Sequence, residues 1–182
     1  LLLLRGSVCL YQGEELALPE ADVAFEDLQD PYGIEFWPEF KGRDGCRTPM
    51  LWEPSNEAGG FSSAKPWLPV SSEHLMKSVG AQESDPDAML HFYRRALAFR
   101  AEHDVLIKGD QGVVRAQNDV VIFERSSDAL QLTCAVNLSE DVKTFTLDGT
   151  YADVAGPLSG AQLDGMTVTL KPWGVAVLRR AN

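Results

Sequence analysis

The sequence has 182 residues, of which 45% are hydrophobic and 24% are charged. This composition is typical of globular proteins rather than of disordered or collagen-like chains. Lysine and arginine number 16 against 27 aspartate and glutamate residues, which gives a net charge of -11. Because such a chain repels phosphate backbones and anionic lipid headgroups, we expect no nucleic-acid partner and no membrane partner. A neutral substrate such as a sugar is compatible with this charge.

The cysteines and apolar runs give an expected cellular location. Cys9, Cys46 and Cys134 are odd in number and lack the spacing of a metal site, so we expect reduced thiols and a cytoplasmic protein. The sequence has no run of 18 apolar residues, so we expect no membrane-spanning helix. Residues 1–4 do not resemble a signal peptide, because the positive charge of Arg5 follows the leucines instead of preceding them.

The first residues predict the end of a helix and then a buried strand. Residues 1–4 are apolar, and a break follows at Arg5-Gly6. Residues 8–11 form a short apolar run of the kind that is typical of a parallel strand buried on both faces. Polar residues 12–15 come directly after it, and the carboxyl end of a barrel strand is where active sites form.

Residues 19–84 are predicted to form a long ordered loop. Prolines interrupt this stretch so often that regular elements are not expected to persist in it. Aromatic residues are also frequent, and their side chains supply apolar surface that an ordered loop can bury. Long ordered loops of this sort more often have a function than serve only to connect secondary-structure elements. The prolines and aromatic residues are Pro19, Pro31, Pro38, Pro49, Pro54, Pro66 and Pro69, and Phe25, Tyr32, Phe36, Trp37, Phe40, Trp52, Phe61 and Trp67.

A helix is predicted over residues 86–103. Asp85 is a suitable N-cap, and Pro86 suits the first helical position. An apolar face follows at helical spacing and comprises Met89, Phe92, Tyr93, Ala96 and Leu97. This pattern is typical of a helix that packs one side against a core.

From residue 105 onward the period of the apolar residues changes to two, which predicts strands. Thr133, Thr167 and Thr169 are interpreted as outward-facing strand positions, and turn signals such as Gly156-Pro157 separate the strands. Several short strands at this spacing predict an antiparallel β-sandwich over residues 105–182. The predicted strands cover residues 120–123, 130–136, 145–147, 166–170 and 175–178.

Familiar catalytic and metal-binding motifs are absent from the sequence. It contains no GxSxG, P-loop, GxGxxG, HExxH or Cys/His cluster, so we expect neither a cofactor nor a metal site. His74, His91 and His103 are isolated from one another. His91 and His103 lie on or beside the predicted helix, where structural roles are far commoner than catalysis.

Two segments could carry chemistry, and each has two interpretations. Residues 11–16 include Glu14 and form either a functional site or a loop whose polar groups satisfy neighbouring backbone. Residues 42–52 place Arg43 and Arg47 on either side of Asp44 among aromatic residues. A guanidinium fork suits two adjacent hydroxyls or a carboxylate, and aromatic rings can pack the apolar face of a sugar. The alternative is a structural Arg-Asp pair that holds the loop together.

These segments resemble a known family. Residues 10–16 resemble the eighth barrel strand of α-glucosidases in the α-amylase superfamily (glycoside hydrolase family 13). The string at residues 42–50 resembles the loop that follows this strand in oligo-1,6-glucosidases and bacterial α-glucosidases, and the similarity covers essentially the whole chain. The matching strings are Leu10-Tyr11-Gln12-Gly13-Glu14-Glu15-Leu16, Asp30-Pro31-Tyr32, Phe36-Trp37-Pro38, Gly42-Arg43-Asp44-Gly45-Cys46-Arg47-Thr48-Pro49-Met50, Lys65-Pro66-Trp67-Leu68-Pro69 and Lys171-Pro172-Trp173.

The resemblance implies a mixed fold. Residues 1–104 correspond to the C-terminal end of a (β/α)8 catalytic barrel, with its last strand, a long aromatic-rich loop (19–84) and the last barrel helix (86–103). Residues 105–182 correspond to a C-terminal antiparallel β-sandwich. The remainder of the barrel is therefore an expected partner.

The resemblance also implies an activity. Relatives are retaining exo-glucosidases, in which two carboxyl groups about 5–5.5 Å apart act as nucleophile and acid/base. The motifs that carry these groups precede residue 1, so no catalytic residue is assigned. Arg47 matches a substrate-binding arginine, and Glu14, Arg43 and Asp44 are assigned to loop support. The expected substrate is an oligosaccharide with a terminal α-linked glucose.

Two alternatives to hydrolysis are kept open. Transglucosylating relatives of the sucrose isomerase or trehalose synthase type share the same loop. A non-catalytic carbohydrate-binding or structural domain is the alternative from a different class. The retained Arg47 argues against this second alternative.

Overall fold

The computed structural model describes residues 1–153 and 160–180, which form two compact units. One unit is Leu10–Tyr93, and the other joins Leu1–Cys9 to Arg94–Asn182. The domain boundary between residues 104 and 105 stays a prediction. The turn signal at Gly156-Pro157 lies outside the described residues. None of the helices in the described ranges has both the length and the apolar content that a membrane crossing requires.

The Leu10–Tyr93 unit is largely irregular, as predicted for residues 19–84, but it contains short helices. Asp30 caps one of them by accepting the N–H of Tyr32 at 3.2 Å, with Pro31 at its first position. Asp30-Pro31 thus has the helix-starting role that the sequence predicts for Asp85-Pro86. The 3-10 helices are Glu14–Leu16, Phe25–Asp27 and Asp44–Cys46, and the α-helices are α1 (Pro31–Glu35), α2 (Ser72–Met76) and α3 (Val79–Glu83).

The long amphipathic helix α4 spans Met89–Glu102, so it starts three residues later than predicted. Asp85 begins a separate turn instead, in which its carboxylate accepts the N–H of Asp87 at 3.0 Å and its carbonyl accepts the N–H of Ala88 at 3.0 Å. The aspartate therefore satisfies turn donors rather than the donors of a continuous helix. A short helix α5 (Asp104–Ile107) follows α4.

Two predicted elements near the start of the chain do not form. Residues 1–4 make a single turn closed by the bond from the Leu4 N–H to the Leu1 carbonyl at 2.9 Å, not the end of a helix. Residues 8–11 are not a strand. A strand needs a hydrogen-bonded neighbour, and every paired strand in the described ranges belongs to residues 110–180.

The Arg94–Asn182 portion contains the predicted antiparallel β domain. The five-stranded sheet has the order β1-β2-β3-β8-β5, and the three-stranded sheet has the order β4-β7-β6. All five predicted strands are confirmed in position, whereas β1, β5 and β6 were missed. The strands are β1 (Asp110–Gln117), β2 (Val120–Ser126), β3 (Gln131–Asn137), β4 (Lys143–Thr146), β5 (Tyr151–Asp153), β6 (Ala161–Asp164), β7 (Thr167–Leu170) and β8 (Val175–Arg180).

Both faces of the five-stranded sheet are covered by apolar clusters. One cluster lies between the two sheets and includes Ala135 and Leu178 from one sheet and Val168 from the other. The second cluster, which includes Leu132, joins the opposite face to residues of α4 and α5. The prediction that Thr133 faces outward is wrong, because its side chain alternates with Leu132 and is only 3% exposed on the covered face of the sheet.

Two buried arginines tie the first residues of the chain to the β domain. Arg100 donates to the carbonyls of Leu2, Leu4 and Gly6. Arg125 has no exposed surface, and burial lowers the pKa of its guanidinium. The negative charge of Asp110 opposes this shift, and the guanidinium charge is further compensated by the dipoles of the carbonyl oxygens to which it donates. They belong to Leu3 (2.8 Å), Val105 (2.9 Å), Leu106 (2.8 Å), Gly109 (2.9 Å) and Asp110 (3.3 Å).

Candidate functional site

The polar segment after residue 11 forms a tight turn anchored by one leucine. Gly13 has a φ of 101°, a left-handed conformation that favours glycine, and its N–H donates to the Glu15 carboxylate at 2.9 Å. Leu16 ends the 3-10 helix that contains Glu14 and is 1% exposed. It belongs to an apolar cluster with Met50 and Leu90. This anchor leaves the Glu14 side chain exposed.

The charges of this turn affect a tyrosine of α4. Burial raises the pKa of the Tyr93 hydroxyl, and the negative charges of Glu14 and Glu15 add to the effect. The turn therefore presents an acidic surface near a phenol that stays neutral. Neutral hydroxyls and carboxylates are both suitable hydrogen-bond partners for a sugar.

Asp44 is buried beneath the loop of residues 42–50. One of its carboxylate oxygens accepts the N–H groups of Gln29 at 2.6 Å and Asp30 at 2.7 Å. The other oxygen, Oδ1, is buried and has no hydrogen-bond partner among the described residues. The side chain thus joins residues 29–30 to the loop and faces away from solvent.

Arg43 pairs with Asp30 rather than with Asp44. Its Nε donates to Oδ2 of Asp30 at 2.7 Å and its Nη2 donates to Oδ1 at 3.0 Å, in the fork geometry that favours strong pairs. These hydrogen bonds hold the pKa of Asp30 well below its usual value, against the opposing effect of burial, and they raise the pKa of Arg43. Gly42 makes room for the pair, since a Cβ there would lie 3.1 Å from both the Cβ and the Oδ2 of Asp30.

The two segments singled out from the sequence meet in the Leu10–Tyr93 unit. The Tyr11 hydroxyl donates to the carbonyl of Cys46 at 3.1 Å. Leu16 and Met50, one from each segment, lie in the same apolar cluster. A cleft of about 100 Å³ lies between the segments, and its lining includes Glu14 and both neighbours of Arg47, namely Cys46 and Thr48.

Arg47 itself is exposed beside this cleft. Its backbone N–H donates to the Asp44 carbonyl at 2.8 Å, which fixes the main chain at the end of the 3-10 helix. Within the described ranges, its guanidinium makes no hydrogen bond or ion pair, in contrast to that of Arg43. The Arg47 fork is therefore available to a ligand, although its substrate-binding role stays a prediction, as do the support roles of Glu14, Arg43 and Asp44.

Two supporting residues were missed in the sequence. His74 is 2% exposed and lines the cleft, and its Nε2 contacts the Pro19 carbonyl at 2.8 Å. Gln82 donates to the Leu16 carbonyl at 3.0 Å and accepts the N–H of Leu90 at 3.0 Å. It thereby joins the turn to the start of α4. Neither residue stands in a motif, so only its long-range contacts reveal its role.

Two further observations concern a metal site and the remaining histidines. In residues 1–153 and 160–180, no group of three His, Cys, Asp or Glu side chains is arranged to hold a metal ion. His91 and His103 bond to carbonyls of Glu83 and Phe99, at 3.0 Å and 2.8 Å. As predicted, both have local structural contacts.

Comparison with known protein families finds a match for each of two parts of the chain. Residues 1–109 match the family described as "Alpha amylase, catalytic domain", and residues 119–180 match "Beta-galactosidase C-terminal domain". A "Probable alpha-glucosidase" of Rhizobium meliloti (strain 1021) is 48% identical over 185 residues, which cover 100% of this chain and 33% of the relative. An "Oligo-1,6-glucosidase" of Parageobacillus thermoglucosidasius is 28% identical over 80% of this chain and 29% of its own length.

A solved structure has the same fold over nearly the whole chain. The α-glucosyl transfer enzyme XgtA superposes with a TM-score of 0.94 at 42% identity, covering 99% of this chain and 34% of its own. The chain thus spans about a third of the length of the relatives it matches. The expected resemblance is confirmed: the chain belongs to the α-amylase family.

Proposed function

We propose that this chain is the C-terminal part of a retaining α-glucosidase that hydrolyses terminal α-linked glucose from short oligosaccharides. The observation that carries the proposal is the meeting of residues 11–16 with residues 42–50 around one cleft, with the unpartnered Arg47 guanidinium beside it. The family match and the α-glucosidase relative support the same reaction.

In the longer protein, residues 8–11 would be the last strand of a (β/α)8 barrel and α4 its last helix. A strand that lacks neighbours in this chain would pair once the preceding strand is present. The carboxyl end of that strand leads into the turn that carries Glu14, which is where a barrel forms its active site. The rest of the barrel is thus a required partner.

Arg47 would bind the terminal glucose. Its fork of N–H donors suits two adjacent hydroxyls of a sugar, and Asp44 fixes its backbone from below. Arg43 and Asp44 would act as loop support, since Arg43 is paired with buried Asp30 and one oxygen of Asp44 is bonded to backbone. The exposed Glu14 would support the rim of the cleft.

The catalytic carboxylates would come from the earlier barrel strands, so the 182-residue chain alone would be inactive. Retention by a double displacement predicts that the first product of a complete enzyme is α-glucose. The test is to follow hydrolysis of p-nitrophenyl α-glucopyranoside, whose leaving group is not a sugar, by the complete polypeptide with proton NMR. Initial release of α-glucose supports the proposal, whereas initial β-glucose or no turnover contradicts it. Turnover by the 182-residue chain alone would contradict its proposed inactivity.

A transglucosylating enzyme is the second candidate, because the α-glucosyl transfer enzyme is 42% identical to this chain. Both candidates share the glucosyl-enzyme step and differ in whether water or a sugar accepts the glucose. Chromatography of products at high maltose concentration separates them: free glucose dominates for a hydrolase, and longer oligosaccharides dominate for a transferase. The cytoplasmic location stays a proposal that rests on cysteine usage.

A further inference from the structure

A second cleft lies in the β domain, entirely within the Arg94–Asn182 portion. It has a volume of about 170 Å³ and lies on the face of the five-stranded sheet that the three-stranded sheet covers in part. Thr133 of β3 pairs across the sheet with Glu124 of β2, and both residues line the cleft. Thr146, the last residue of β4, and Asp148, which follows it closely, also line the cleft.

The cleft contains a buried hydroxyl without a partner. Thr133 is 3% exposed, and its Oγ1 makes no hydrogen bond to any described residue. A buried unpaired hydroxyl costs about 1–3 kcal/mol relative to a paired one. Valine has nearly the same shape as threonine and would avoid this cost. A ligand or a bound water that hydrogen-bonds to the hydroxyl would explain why a threonine occupies this position.

The charges that line the cleft are balanced. Arg115 and Arg180 contribute two positive charges, and Glu124 and Asp148 contribute two negative charges. A site for an anion would have an excess of positive charge, and a site for a cation an excess of negative charge. Two guanidinium donors together with two carboxylate acceptors instead match a neutral ligand that carries several hydroxyls.

The size of the cleft and one aromatic residue restrict the class of ligand further. A volume of about 170 Å³ is smaller than the roughly 300–1,000 Å³ of pockets that enclose drug-sized ligands. Tyr151, on the edge strand β5, lines the cleft and is partly buried. An aromatic ring beside polar groups offers an apolar surface to the C–H groups of a ring-shaped polyol.

We propose that this cleft binds one sugar ring and does no chemistry on it. The site would retain an oligosaccharide or product on the β domain, independently of the cleft beside Arg47. The proposal does not depend on the glucosidase function, because every residue that carries it lies in β1 to β5, in β8 or in the segment after β4.

The test is calorimetric titration of the complete polypeptide with methyl α-D-glucopyranoside, with inorganic phosphate as a separate probe. We expect a class of binding sites that survives Arg47→Ala. Thr133→Val should weaken this class by about fivefold or more, the effect of one neutral hydrogen bond. Thr133→Val removes an unpaired hydroxyl, so folding should be preserved. Thr144→Val, on exposed β4, is the matched control and should leave binding unchanged.

Glu124→Gln provides a second variant that does not depend on Thr133. It removes one negative charge, so sugar binding should weaken and binding of inorganic phosphate should appear. The proposal is overturned if all methyl glucoside binding disappears with Arg47→Ala, or if Thr133→Val and Glu124→Gln both leave the second class of sites unchanged. It is equally overturned if the wild-type cleft binds phosphate but not the glucoside.

Discussion

The β domain and the Leu10–Tyr93 unit are stabilised by different interactions. In the β domain, apolar clusters cover both faces of a regular sheet, and pairing along whole strands fixes the register. In the Leu10–Tyr93 unit, a three-residue apolar cluster is accompanied by individual polar contacts such as those of Asp30, Asp44 and Gln82. Apolar burial is spread over many atoms, whereas each polar contact has one geometry. Substitutions in the β domain should therefore mainly change stability. Substitutions in the Leu10–Tyr93 unit, called the loop unit below, should mainly change the geometry of the candidate site.

The largest expected effect comes from Arg125→Met. This change removes a hydrogen bond from each of five carbonyl groups, of which, in the described ranges, only that of Leu106 keeps a side-chain donor, Arg100. We expect the β domain to lose about 4 kcal/mol or more of stability. The measurement is hydrogen exchange of β2 and β3 in the complete polypeptide. Arg179→Met, at an exposed position of the same sheet, is the control and should change stability by less than about 0.5 kcal/mol. Equal effects of the two substitutions would show that the buried arginine is not required.

A pair of leucine substitutions compares the two units directly. Leu132→Ala and Leu16→Ala each remove a fully buried side chain, and each should cost about 3 kcal/mol locally. Only Leu16→Ala should also raise KM in the complete polypeptide, because Leu16 packs with Met50 beneath the cleft. Hydrogen exchange and steady-state kinetics on the same samples make the comparison. If only Leu132→Ala raised KM, the β domain and not the Leu10–Tyr93 unit would support the substrate cleft.

Low pH should destabilise the loop unit through protonation of Asp30. Its folded pKa lies below the usual value of 3.8, so the unfolded state binds more protons between these two values. The stabilisation is fully present above about pH 4 and is lost as the pH falls through the lowered pKa. Asp30→Asn should remove this pH dependence and leave residues 28–46 exchanging faster at pH 7. The control is Asp22→Asn, whose exposed pair with Lys41 should contribute little; a larger effect of this control would refute the prediction.

The smallest expected effect concerns a thiol. Burial raises the pKa of Cys134 to about 12, so almost no reactive thiolate exists at pH 8. Iodoacetamide should leave the Cys134 peptide unlabelled in the native protein and label it in guanidinium chloride, as read by mass spectrometry. Rapid native labelling would mean that the sheet opens readily around β3.

Sequence patterns predicted the β domain better than the loop unit. Apolar runs and alternation located β2, β3, β4, β7 and β8, because each of these strands buries apolar side chains on one or both faces. It missed β1, where Asp110, Gln111 and Arg115 break the pattern, and the short strands β5 and β6. The 8–11 run has strand composition but lacks a neighbouring strand, so composition alone could not decide its structure.

For the candidate site, motif and family resemblance located Arg43, Asp44 and Arg47 but not their partners. The pairing of Arg43 with Asp30 spans 13 residues, and that of Gln82 with Leu16 spans 66. Contacts at such separations leave no local period in the sequence. The buried Thr133 was misassigned for a related reason, since alternation shows that two faces exist but not that both are covered.

The most direct test of the account measures kcat/KM for maltose with the complete polypeptide and its Arg47 variants. Arg47→Ala should lower kcat/KM by about 10- to 150-fold, which corresponds to about 1.5–3 kcal/mol for hydrogen bonds from a charged donor. Arg47→Lys should recover part of the loss, Arg43→Lys should have a much smaller effect, and Arg179→Ala should have none. If Arg47→Ala and Arg43→Lys have equal and small effects, Arg47 belongs to the loop framework and the proposed glucose site is wrong.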